Sequence, residues 1–128
     1  MKKIKFNISP LHAETIAVHL LIVLKNFVTG KKEGSIPDET MELLSHLDVA
    51  YQKLSALSDS TDDETPQPVA LSIPEAEAFI KAFTEERFQA AALKDEFYQR
   101  HSYPAYFAQI YSKYAEQVSE GYVEALAA

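Results

Sequence analysis

The chain has 128 residues, 47% hydrophobic and 24% charged, which suits one folded domain of residues 1–128 and argues against a disordered chain. It contains no cysteine, which excludes disulfides, a thiolate nucleophile and a Cys-ligated zinc site, and suits a reducing compartment. A net charge of −7 opposes nucleic-acid binding, which draws most of its affinity from neutralising phosphate.

That charge is uneven. Residues 1–34 carry six Lys against two acids, and residues 35–128 carry six basic against seventeen acidic residues. The opposed ends serve solubility, or they attract each other between copies.

At the start, Lys3, Lys5 and Asn7 alternate with Ile4, Phe6 and Ile8. Period two predicts a short half-buried strand over about 3–8. Ser9-Pro10 then opens a first helix, with Ser as cap and Pro at the first helical position. The helix is expected over Pro10 to Val28, with Gly30 available as a left-handed cap. At 100° per residue, Ile16, Ala17, Leu20, Leu21, Val23, Leu24 and Phe27 form a core face. Leu11, Val18 and Ile22 lie on the other side. The N-terminal strand or a later acidic loop covers these three, or a second copy does, or water meets them. The apolar run 16–24 falls short of the roughly 20 residues that span a bilayer. No small-residue cleavage pattern accompanies it. The expected setting is cytoplasmic, with no membrane.

Ser35-Ile36-Pro37-Asp38 opens a second helix to about Leu57, and Ser35 has the look of its cap. Leu43, Leu44, Leu47, Ala50, Tyr51 and Leu54 share its apolar face. Glu42 and His46, four apart on the polar face, read as an exposed helix pair. Residues 58–68 hold four acids and two prolines and no apolar side chain, the composition of a mobile acidic loop. Val69, Leu71 and Ile73 alternate again, so a second strand over about 69–73 can pair with the first.

Ser72-Ile73-Pro74-Glu75 has the form of a capping box and opens a third helix to about Arg100. If that helix is straight, Glu86 falls among Phe79, Ala82, Phe83, Ala90 and Leu93. A carboxylate there is costly unless paired or protonated, and is a candidate general acid or base. The alternative is an irregularity near Thr84 that turns Glu86 outward. Pro104 stops this helix and starts a fourth to about Leu126, with Phe107, Ile110, Tyr111, Tyr114, Val118, Tyr122 and Ala125 facing inward.

His12, Thr15, His19 and Asn26 run in one line along the first helix. The two His stand about 10 Å apart, too far to share one metal ion. No His-Glu-x-x-His, Glu-x-x-His or Gly-x-Ser-x-Gly pattern occurs, and neither metal nor cofactor is expected. A ligand or enzymatic site inside the bundle would use Glu86, His12, His19, Tyr111 and Tyr114. Tyr103 and Tyr106, beside Arg100 and His101, read as an exposed recognition patch. With Leu11, Val18 and Ile22 they make the candidate interface.

The expectation is a mainly α, four-helix bundle-like domain with one or two short strands before the first and third helices. No catalytic motif names a reaction. The leading reading is a non-enzymatic interaction module that pairs with itself as a homodimer, or with another protein. The alternative is a small-ligand or enzymatic bundle around Glu86 and the helix-1 histidines.

Overall fold

The computed structural model describes residues 3–29, 34–58, 64–96 and 103–127, with side chains in the last helix from residue 109 onward. The chain folds in the order β1 (Lys3–Ile8), α1 (Pro10–Val28), α2 (Asp38–Ser58), β2 (Gln67–Ser72), α3 (Ile73–Thr84), α4 (Glu86–Leu93) and α5 (Tyr103–Ala127). It is mostly helical and bundle-like. α1, α2, α3 and α5 pack in a ring, each against the next, and α4 lies on α1 and α3.

β1 and β2 pair antiparallel, from Lys3 opposite Ser72 to Ile8 opposite Gln67. Ile4, Phe6 and Ile8 turn inward from β1, and Val69 and Leu71 from β2. Each strand runs straight into a helix. Ser9 caps α1 by accepting from the His12 N–H at 3.4 Å. Ser72 caps α3 with a complete capping box, its hydroxyl accepting from the Glu75 N–H and its own N–H donating to the Glu75 carboxylate. The two strands therefore fix where α1 and α3 begin. β2 itself starts at Gln67, two residues before the apolar alternation, because Gln67 and Pro68 still lie opposite Ile8 and Asn7. Residues 59–63 of the expected acidic loop, and the Gly30 cap, lie outside the described residues.

α2 starts later than the Ser35 signature implies. The Met41 N–H donates to the Pro37 carbonyl at 3.0 Å, so Pro37 holds the cap position and Ser35 stands outside the helix. Leu44, Leu47, Ala50 and Leu54 are buried on the expected face, and Leu43 and Tyr51 are half-buried beside them. Lys53 reaches across from α2, donating to the Ala70 carbonyl of β2 at 2.9 Å and pairing with the Glu75 carboxylate.

The third helix is not continuous. It stops at Glu85, whose extended backbone (φ −80°, ψ 130°) both closes α3 and opens α4. Arg87 Nε donates to the Glu85 carboxylate at 2.7 Å, and the Gln89 amide to the Phe83 carbonyl. The second of these satisfies a backbone carbonyl that the break releases from the helix ladder. The change of direction turns Glu86, Ala90 and Leu93 outward and Phe88, Ala91 and Ala92 inward.

α1 is the central helix of the core. Ile16, Leu20 and Val23 are fully buried, and Ala17 and Phe27 nearly so. By length and composition alone α1 would pass as a membrane span. Here its apolar side serves as the core of the bundle. Two expectations for its faces fail. Ile22, assigned to the outer side, is buried at 8% exposure. It lies beside Thr15 and His19, both buried, so the core arc extends further round α1 than expected, and α4 and the chain after it pack on α1 through Phe27 against Phe88 (ring centroids 5.0 Å apart) and Asn26 donating to Asp95 at 3.2 Å. Leu21, assigned to the core, is 45% exposed, because at 100° per residue it falls beyond the edge of the buried arc, which ends at Ala17.

Candidate functional site

Four of the five residues expected in an interior site do gather. His12 Nδ1 and the Tyr114 hydroxyl share a hydrogen bond at 2.6 Å. Two turns further along α1, His19 stacks on Phe83 of α3 at 4.8 Å with ring planes 15° apart. Tyr111 of α5 stacks on the same Phe83 ring at 3.9 Å. Two parallel rings cannot share one face, so Phe83 lies between His19 and Tyr111. Phe79 stands edge-on to Phe83 at 5.0 Å, and Phe6 joins Phe79 to Tyr114 with centroids 6.4 and 6.3 Å away. The result is an aromatic column linking β1, α1, α3 and α5.

Its electrostatics suit packing better than proton transfer. Burial lowers the His19 pKa to about 4, against a smaller upward push from a hydrogen bond to the Ala82 backbone. Burial also lowers the His12 pKa, helped by the positive charge of Lys113. Burial raises the Tyr111 pKa. A general base works best with a pKa near the operating pH, and His19 and Tyr111 are both displaced away from it.

Glu86, the fifth residue, does not join them. It is exposed in the first turn of α4, on the far side of the Glu85 break. The candidate role as general acid or base rested on a place within the apolar face, and Glu86 is not there. The side chains of Tyr103 and Tyr106, and the whole of Arg100 and His101, lie outside the described residues.

An open cleft of about 480 Å³ lies between α2, α3 and α4, lined among others by Glu39, Glu42, His46, Glu77, Lys81 and Arg87. Its two basic residues are paired with acids. Lys81 sits 2.8 Å from Glu77 and 4.0 Å from Glu85, and Arg87 donates to Glu85 and to the buried Thr40 hydroxyl at 3.1 Å. The Glu77 hydrogen bond raises the Lys81 pKa. Glu42 and His46 stand 3.9 Å apart on the α2 surface. These contacts join α2 to α4 and brace the α3–α4 break. Among the described residues no group of three His, Asp or Glu is placed to hold a metal ion.

A further candidate is the outer face of α1. Leu11, Leu21 and Val28 are 46%, 45% and 42% exposed, Val18 is half-buried, and the charged Glu14 and Lys25 stand among them in water. Leu11 and Val18 were expected there; Leu21 and Val28 were missed. The spacing 11, 18, 21, 28 held the signal, but the wide apolar arc of α1 hid where the core ends.

No family model, characterised protein or solved structure matches this chain.

Proposed function

We propose that this protein is a non-enzymatic helical interaction module that associates with a second copy of itself through the outer face of α1. One observation carries the reading. The helix at the centre of the core also presents four apolar side chains to solvent along nearly its whole length, three of them more than 40% exposed. Scattered surface apolars are ordinary, but a stripe along one helix marks an interaction surface. The interior column supports the same reading, because its histidines and tyrosines are used in packing.

The ligand or enzymatic alternative depended on Glu86 facing an enclosed space near a His or Tyr, and Glu86 faces water. In the proposed reading the chain is cytoplasmic, binds no nucleic acid and needs no cofactor. The predominantly acidic body and the commitment of the apolar side of α1 to the core support this.

Light scattering across a micromolar dilution series tests the reading. The wild-type chain is expected to show a concentration-dependent mass rising towards that of a dimer. Leu21→Asp is expected to remain monomeric with an unchanged helical circular dichroism spectrum. A wild-type chain that stays monomeric throughout would overturn the proposal.

A further inference from the structure

The outer stripe of α1 has a register as well as a composition. Leu11, Val18 and Lys25 are seven residues apart, and so are Glu14, Leu21 and Val28. Together they alternate at spacings of three and four, the a and d positions of three consecutive heptads. At 100° per residue the six fall within an arc of about 100° centred on Glu14 and Lys25. The drift of an α-helix against a heptad repeat is about 20° per heptad, small enough to keep all six on one face over this length.

The stripe is also self-complementary. Its midpoint in sequence lies between His19 and Leu20. Turning a second copy by a two-fold axis through that point reverses the order of the stripe. Leu11 then meets Val28 of the other copy, Val18 meets Leu21, and Glu14 meets Lys25, each contact occurring twice. The two polar members of the seam fall opposite each other with opposite charge. A parallel arrangement would set Glu14 against Glu14 and Lys25 against Lys25.

From this we infer that two copies pack α1 against α1 antiparallel, with reciprocal Glu14–Lys25 pairs fixing the register. The inference rests on the self-association proposed above and adds its geometry. Antiparallel a-to-d pairing buries the four apolar side chains at the two ends and the middle of the seam. The charged pairs between them make any shifted register cost an unpaired charge. The occupant is a second copy because the charge order of the stripe is its own complement.

Two measurements separate the register from the association itself. The chain has no cysteine, so introduced thiols report without background. Under mild oxidation a mixture of Leu11→Cys and Val28→Cys chains is expected to form a mixed disulfide dimer, while either variant alone cross-links slowly. The two positions lie about 25 Å apart within one helix, so the bond cannot form inside a chain. Leu11→Cys cross-linking to itself faster than to Val28→Cys would overturn the antiparallel arrangement. In the second measurement, Glu14→Lys or Lys25→Glu is expected to weaken the dimer about tenfold, since each change turns two attractive pairs into repulsive ones. The Glu14→Lys/Lys25→Glu double variant is expected to regain wild-type affinity. A wild-type dimer that ignores these swaps would refute the register and leave the self-association standing. A monomeric wild-type chain would remove both.

Discussion

His19 is 6% exposed and stacked on Phe83, and its pKa falls from 6.5 to about 4 because burial penalises the imidazolium. The unfolded chain takes up the proton near pH 6.5, whereas the folded chain resists until about pH 4. Stability is therefore full above the unfolded value and is lost as pH falls through this window, with a plateau below it. The shift corresponds to about 3 kcal/mol. His12 acts in the same direction. Glu75 acts lower down. Burial alone would raise its pKa, but the Lys53 and Ser72 hydrogen bonds together hold it below its ordinary value. Its contribution is present above the ordinary carboxylate range and lost as pH falls below it. Urea unfolding at successive pH values should show a falling midpoint between pH 6.5 and 4 for the wild type and a much flatter curve for His19→Leu. Equal slopes for both would contradict the assignment. The line of His12 and His19 was legible from their seven-residue spacing. The burial that lowers their pKa values was not, because it depends on Tyr114 reaching His12 and Phe83 reaching His19 from other helices.

At the scale of elements, the bounds of α1 were legible although its faces were not. Ser9-Pro10 marks its start at a cap, and the Ser72–Glu75 capping box does the same for α3. Ser72→Ala removes the acceptor for the Glu75 N–H and should cost about 1 kcal/mol in a denaturant titration. The irregularity near Thr84 that the sequence allowed is real, but it could not be fixed from sequence because Thr84-Glu85-Glu86 contains neither Gly nor Pro. It is held by the Arg87–Glu85 and Gln89–Phe83 bonds, which exist only once the chain has turned. That single turn moved Glu86 from the expected apolar face to water. α5 carries a further constraint. A Cβ at Gly121 would lie 2.8 Å from Ile4 Cγ2 of β1, so β1 packs against the helix backbone at this point. Gly121→Ala gains about 1 kcal/mol of helix propensity but overpacks a buried branched side chain, which typically costs about 1–3 kcal/mol. Net destabilisation is expected, and it should reverse in an Ile4→Ala background. Additive effects in that double-mutant cycle would show that the close approach carries no strain.

For the whole molecule, binary patterning was enough to give a helical bundle with two short strands. It was not enough to give the ring order of α1, α2, α3 and α5, which depends on β1 pairing with β2 across the 58 residues of chain between Ile8 and Gln67. Nor could it find the true edge of the core on α1. Ile22 lies inside the buried arc of α1 and Leu21 just beyond its edge, 45% exposed among the described residues. The core accounts for one side of α1, and the stripe of Leu11, Val18, Leu21 and Val28 is what remains. Self-association is the claim on which the functional account depends. The most direct test is the mass of the wild-type chain and of Leu21→Asp by sedimentation equilibrium at several micromolar loading concentrations. The account predicts a monomer–dimer equilibrium for the wild type and a monomer for the variant. Wild type and variant both sedimenting as monomers at every concentration would contradict it.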